Sequence, residues 1–274
     1  MVVLANQVLI SSVLNARIIG PSSKTVVLAH GFGTDQSAWD KVLPLLSIHH
    51  RVVLFDWGFS GSVKDEITLF DPIKYSSYDA FADDLIVLLE ELDVKSATLA
   101  GHSMSAMIGC IASIKRPQLF KKLVLVSASP RYINSEDYEF GFKRSDVDQL
   151  ISTIETNFQT WASNFPPLVI DQNDPLSIQN FEKSLKRMSP EVALSTAKLV
   201  FYGDYTHILD NVTTPCLIVQ TLNDIVVPMS VVDYMQKKIK AKSTVEMIHT
   251  NGHFPHLTAH VQFVEVIERA LVTS

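Results

Sequence analysis

Several absences narrow the possibilities. Only two cysteines occur in 274 residues, Cys110 and Cys216, and each lies in an apolar run. That usage argues against a disulfide framework and fits two buried thiols in a reducing, intracellular compartment. No stretch reaches the ~18 uninterrupted apolar residues of a membrane span, so no membrane association is expected. The N-terminal segment MVVLANQVLISSVLNARIIG lacks a basic leader and is broken by Asn6, Gln7, Ser11 and Ser12. It reads as strand, not signal peptide. Acids and bases are interspersed around a net charge of −6. There is no basic stripe for nucleic acid and no run of like charge for a tail. Internal repeats and low-complexity segments are missing too. No metal and no cofactor is expected.

What is present is ordinary globular composition, 47% hydrophobic and 19% charged, in a chain long enough to bury a substantial core. Short β-branched runs predict strands at Thr25–Ala29, Arg51–Phe55, Ser96–Ala100, Leu123–Val126, Cys216–Gln220 and Thr244–Ile248. Helical spacing appears at Ser77–Leu92, Val231–Ile239 and Val261–Leu271, and the almost wholly apolar Met104–Ile114 fits a buried helix. Strands alternating with helices imply a mostly parallel sheet covered on both faces. From about Arg131 to Leu209 no strand core is evident. Helices are expected there at Ser145–Ser163, Leu176–Met188 and Pro190–Phe201. The expected organisation is therefore an α/β core, residues 1–130 and 210–274, with a helical insertion, residues 131–209.

The chemistry centres on Gly101-His102-Ser103-Met104-Ser105, set between the strand KSATLA and the apolar helix. A G-x-S-x-G element in that context is the nucleophile elbow of the α/β-hydrolase fold. Small flanking residues permit the tight turn, and the helix N-terminus favours a developing oxyanion. Ser105 replaces the final Gly but is nearly as small. The plain alternative is that Ser103 only caps its helix. A lone hydroxyl needs a base, and the base needs an orienting acid. The fold's chain order is Ser, Asp or Glu, then His. Asp224 follows the strand CLIVQ, and His253 follows TVEMIH, so both fall on the strand-end edge that carries Ser103. His249, His256 and His260 compete with His253 as base. His249 falls at the strand end, His256 reads as pocket wall or surface, and His260 opens the last helix. Two backbone N–H groups should form the oxyanion hole, one from Met104 and one from Phe32 in the His30-Gly31-Phe32-Gly33 loop.

Six segments carry a resemblance over essentially the whole chain: HGFGTDQSAW (30–39), GHSMSAMIG (101–109), ASIKRP (112–117), SASPRYIN (127–134), EDYEFGF (136–142) and GHFPH (252–256). The chain resembles the plant strigolactone and karrikin receptors, hydrolase-fold proteins of the DWARF and KARRIKIN-INSENSITIVE type. Bacterial RsbQ-type stress regulators are more distantly similar. The resemblance implies a butenolide ligand under a four-helix lid, attacked slowly by Ser103 with His253 as base and Asp224 as its orienting acid. His253 could itself be modified by the cleaved ring. It also implies a leucine-rich-repeat F-box partner and transcriptional repressors as targets, in cytoplasm and nucleus; a monomer is the default expectation. Phe32, Tyr132, Phe142, Phe158, Trp161, Phe165 and Phe201 are the expected pocket walls, suiting an uncharged ring-shaped ligand. His30, Gln36 and Trp39 should shape the loop, not touch the substrate.

The chain departs from that family at several places. Asp56-Trp57-Gly58-Phe59-Ser60-Gly61 stands where many members carry an aspartate and a GAG-type turn. Met104 stands for valine, Phe254 for leucine and Phe158 for tyrosine. These changes indicate a divergent branch, DWARF-like or karrikin-receptor-like. The competing expectations are a metabolic carboxylesterase or lactonase without a signalling partner, and a binding protein with a vestigial triad. Epoxide hydrolases and haloalkane dehalogenases would want aspartate at position 103.

Overall fold

The computed structural model describes residues 9–21 and 24–272. Seven strands form one sheet: β1 (Arg17–Ile19), β2 (Thr25–Ala29), β3 (Arg51–Leu54), β4 (Ala97–His102), β5 (Phe120–Val126), β6 (Cys216–Asn223) and β7 (Ser243–Asn251). Their order is β1-β3-β2-β4-β5-β6-β7. Only β1 runs antiparallel, against β3; every other pairing is parallel. β2 leads to β3 on one side and lies beside β4 on the other. That reversal is the switch point outside whose strand ends α/β proteins bind ligands.

The central strands are buried on both faces because their alternate side chains enter two separate cores. Val27, Leu99 and Leu125 join one hydrophobic cluster; Val26, Leu28 and Val124 join the other. The first cluster is closed by α4 (Tyr78–Glu91) and α5 (Met104–Lys115), the second by the C-terminal helix His260–Val272. In α4 the apolar positions Tyr78, Phe81, Leu85, Leu88 and Leu89 recur every three or four residues, and Ser77 caps the first turn by accepting from Asp79 N. Ahead of these lie three single-turn helices, α1 (Ile10–Val13), α2 (Leu43–Leu46) and α3 (Glu66–Leu69).

Between β5 and β6 the chain is helical: α6 (Arg144–Thr156), α7 (Phe158–Asn164), α8 (Pro166–Val169), α9 (Pro175–Arg187) and α10 (Pro190–Tyr202). After β6 come α11 (Met229–Lys238), α12 (Pro255–Thr258) and α13 (His260–Val272). Side chains of the first half of the chain anchor α9 and α10. Lys41 Nζ lies 2.7 Å from Asp174 Oδ2 and 2.9 Å from the Leu257 carbonyl. Arg187 pairs with Asp35. Glu66 Oε2 accepts from Ser189 N at 3.0 Å.

Two expectations need correcting. Residues 10–13 are helical, because the Glu91 carboxylate accepts from Ile10 N at 2.8 Å and Ser11 N at 3.1 Å and so caps that turn. Only Arg17–Ile19 of the N-terminal segment is strand, and residues 1–8 lie outside the described residues. The helix expected over Ser145–Ser163 breaks at Asn157, whose backbone leaves the helical region (φ −152°, ψ 62°). Its side chain accepts from Thr160 N at 3.3 Å and starts a new helix. Both cysteines are free and buried. Among the described residues no helix is long and apolar enough to cross a membrane.

Candidate functional site

Ser103 sits between the last residue of β4 and the first of α5 with φ 55° and ψ −120°. A non-glycine residue at positive φ is strained, and such strain marks a side chain held for a purpose. The turn closes because its neighbours are small. A Cβ on Gly101 would lie 2.6 Å from the Ser105 carbonyl oxygen. The Ser103 side chain makes no capping bond, so helix capping does not explain the residue.

Its hydroxyl instead faces His253. Ser103 Oγ lies 3.0 Å from His253 Nε2, and His253 Nδ1 lies 2.8 Å from Asp224 Oδ2. The other oxygen of Asp224 accepts from Val226 N at 2.8 Å and Val227 N at 3.1 Å, which fixes the carboxylate plane. All three residues are buried. β6 ends at Asn223 and β7 at Asn251, so the parallel sheet delivers acid and base to the edge where β4 delivers the serine. A relay from carboxylate through ring to hydroxyl can withdraw the serine proton as the oxygen attacks a carbonyl carbon.

The other imidazoles near the relay are structural. His102 Nε2 donates to the His253 carbonyl at 2.9 Å. Burial, reinforced by the neighbouring imidazoles, holds His102 well below the ordinary histidine range. His256 is fully buried and lies against Trp39 with ring centroids 4.2 Å apart. Burial brings it down to about 3, so it stays neutral and apolar in behaviour. The expectation that His256 lines the pocket or the surface is therefore corrected: Pro255 starts α12 and turns the ring into the core. His249 is exposed, and His260 opens α13.

Met104 is the first residue of α5, so its N–H has no partner within the helix and faces the turn at Ser103. Phe32 follows Gly31, where a Cβ would lie 2.7 Å from His102 Nδ1. That absent side chain lets the His30–Gly33 loop pack against the elbow.

A cavity of about 30 Å³ touches Ser103 and His253. It has room for about one or two waters. Phe32, Tyr132, Phe165 and Phe201 line it, together with Phe181 and Phe254, neither of which was expected as a pocket wall. Tyr132 Oη is 3.4 Å from Ser103 Oγ. A second, wider pocket of about 290 Å³ lies beyond, with Phe142, Leu150, Leu168 and Ile225 in its wall. Phe165, Phe201 and Val226 border both spaces and form the partition between them. Phe158 and Trp161 border neither, which corrects their expected place as pocket walls. They join a run of rings: Phe158 lies tilted against Trp161 at 5.9 Å, and Trp161 stacks on Phe165 at 5.2 Å and on Phe32 at 6.1 Å. Among the described residues no group of three or more His, Cys, Asp or Glu side chains could hold a metal ion.

The family model of the alpha/beta hydrolase fold matches residues 24–259. A karrikin insensitive 2 receptor of Petunia hybrida is 43% identical over 261 residues, 95% of this chain and 94% of its own. A strigolactone esterase of Arabidopsis thaliana is 40% identical over 258 residues, 94% of this chain and 96% of its own. The chain belongs to the strigolactone and karrikin receptor family of α/β-hydrolases. A hydrolase from Oleispira antarctica shares the structure at TM-score 0.91 with 32% identity, covering 97% of each chain. An enol-lactonase from Burkholderia xenovorans, at TM-score 0.79 and 17% identity, shares the fold alone.

The turn after β3, Asp56–Gly61, has a structural partner. Trp57, from that turn, donates to Ser105, the residue at the elbow's last position. The Ser105 hydroxyl in turn donates to the His30 carbonyl. The backbone N–H of Trp57 donates to His30 Nε2 at 3.0 Å. These bonds tie the floor of the Phe32 loop to the base of the elbow. His30 thus shapes the loop from a fully buried position.

Proposed function

We propose that this chain is a serine hydrolase of butenolide esters that doubles as their receptor. Ser103 is the nucleophile, His253 the general base, Asp224 its orienting acid, and the amides of Phe32 and Met104 the oxyanion hole. The observation that carries this reading is the unbroken Ser103–His253–Asp224 relay, at 3.0 and 2.8 Å, behind a strained elbow. Family membership among strigolactone esterases and karrikin insensitive receptors supports the ligand class.

The chemistry follows from the groups in place. Ser103 Oγ bonds to the ester carbonyl carbon while its proton passes to His253 Nε2. The carbonyl π electrons move to the oxygen, where the two amides stabilise them. Collapse expels the leaving enolate or alcoholate, which takes the proton from His253. Water then repeats the sequence on the acyl-enzyme and frees Ser103. An apolar, aromatic chamber suits an uncharged ring, and neither cavity offers a cation for a carboxylate substrate.

The receptor role extends to partners. Ligand-driven movement of α6–α10 would present a surface to a leucine-rich-repeat F-box protein and to transcriptional repressors, in cytoplasm and nucleus. A second reading, a metabolic carboxylesterase or lactonase with no partner, is favoured by the 32% identity to a bacterial hydrolase over 97% of both chains. Turnover separates them. Slow cleavage of a strigolactone analogue with a ligand-induced fall in thermal midpoint supports the receptor. Rapid multiple turnover with an unchanged midpoint supports the esterase. Ser103→Ala with wild-type hydrolysis would falsify both.

A further inference from the structure

The peptide unit that carries the proposed base is clamped from two sides, and one side of the clamp belongs to the helical insertion. His253 N donates to the carbonyl of Val169, the last residue of α8, at 2.7 Å. Ile170 and Gly252 form an isolated antiparallel bridge. Gly252 has φ +85°, and a Cβ there would lie 2.7 Å from Val169 O and 3.0 Å from Asp171 N. Only glycine allows this approach. The opposite side of the clamp is His102, which donates to the His253 carbonyl. Both backbone polar groups of His253 are therefore engaged.

Asp171 extends the contact from the insertion to the acid. Its Oδ2 accepts from Asn251 Nδ2 at 3.2 Å and from Asn251 N at 3.4 Å, while its Oδ1 accepts from Asn173 N and Nδ2. Asn251 Oδ1 accepts from Asn223 Nδ2 at 2.8 Å, and Gly252 N donates to the Asn223 carbonyl at 2.8 Å. Asn223 is the residue before Asp224. A continuous path of hydrogen bonds thus joins the end of α8 to the loop of the base and to the strand end that holds its orienting acid.

We infer that Val169, Ile170 and Asp171 are positioning residues for His253. The insertion sets the alignment of the base as well as roofing the pocket. The inference rests on the catalytic reading above. A base must be held to a fraction of an ångström for proton transfer, and the backbone that carries it here is shared with a segment of the insertion. Phe165, which partitions the two cavities, immediately precedes α8. A ligand that displaces Phe165 therefore pushes on the segment that holds His253.

The test compares wild type, Asp171→Ala and Asp171→Asn, with two readouts. The first is kcat and KM for p-nitrophenyl acetate, an acyl group small enough to make little demand on the partition. The second is hydrogen–deuterium exchange of the amides at 251–253. Asp171→Ala is expected to lower kcat by about three- to tenfold with KM within about twofold, the signature of misalignment without lost binding. It should also speed exchange of those amides. Asp171→Asn keeps an oxygen acceptor and should recover kcat to within about twofold of wild type. Unchanged kcat and exchange in Asp171→Ala would overturn the inference, as would a fall in kcat that Asp171→Asn does not restore. A wild-type chain that fails to cleave the ester would sink the catalytic reading instead. The exchange comparison alone would then decide the clamp.

Discussion

Trp57 Nε1 donates to Ser105 Oγ at 2.9 Å and to the His30 carbonyl at 3.0 Å, joining the turn after β3 to the elbow in the buried core. Both side chains are essentially inaccessible to water. Trp57→Phe removes the donor and leaves Ser105 Oγ and the His30 carbonyl short of a partner. A buried hydrogen bond lost in this way costs about 1–3 kcal/mol, and the urea midpoint should fall accordingly. Ser105→Ala should cost about 1 kcal/mol, since Trp57 Nε1 retains the His30 carbonyl. An unchanged midpoint in Trp57→Phe would show that the turn is not tied to the elbow through this group.

Replacing the nucleophile should separate cleavage from binding. Ser103→Ala removes the attacking oxygen without adding bulk to a 30 Å³ space. Hydrolysis of a strigolactone analogue should fall by several orders of magnitude while ligand affinity stays within a fewfold. Competition with a fluorescent ligand reads the second quantity.

The two acidic anchors of the insertion should titrate with opposite sign. Burial pushes the Glu66 carboxyl up to about 7, against the pull of the Ser189 N–H. Its folded value exceeds the ordinary 4.5, so its contribution is fully present below that value and is lost as pH rises through about 7. Glu66→Gln should therefore match wild type near pH 4.5 and exceed it by roughly 2–3 kcal/mol well above pH 7. Burial also pushes on Asp35, but hydrogen bonds from Ser37 and Ser62 outweigh it and hold the carboxyl at about 2. Asp35 stabilises the fold above its ordinary 3.8 and loses that effect as pH falls toward 2. Asp35→Asn should cost about 2 kcal/mol near neutrality, with the gap closing below about pH 4. Denaturant titrations across pH read both.

The partition should set substrate size. Phe165, Phe201 and Val226 separate about 30 Å³ at Ser103 from about 290 Å³ outside. Val226→Ala shortens the partition from its loop side and leaves the relay in place. It should raise kcat/KM for a naphthyl ester severalfold relative to p-nitrophenyl acetate. An equal change for both esters would show that the partition is not what limits bulky substrates.

The sheet and the relay were legible because both obey rules that short segments carry. The runs TVVLA and CLIVQ are short and β-branched, which reads as buried strand, and each strand's end marks where the next candidate residue falls. Ser103, Asp224 and His253 needed only chain order and strand ends. The pocket was less legible. Aromatic residues of the insertion serve equally as core and as wall, and periodicity does not separate Phe158 and Trp161, which pack ring against ring, from Phe165 and Phe201, which face the cavity. The break at Asn157 hid inside a helical spacing because a side-chain cap leaves no mark on the apolar pattern. The bridge between Ile170 and Gly252 joins residues 82 positions apart, and no local signal announced it. The positive φ of Gly252 was its one trace, foreshadowed only by a glycine before the base.

The most direct measurement is the intact mass of wild type and Ser103→Ala after mixing with a strigolactone analogue that carries a fluorogenic leaving group. Wild type should release the fluorophore and gain the mass of the retained fragment on Ser103 or His253. Ser103→Ala should do neither while its thermal midpoint still shifts with ligand. Release of the fluorophore by Ser103→Ala at the wild-type rate, or its absence from wild type, would contradict the proposed relay.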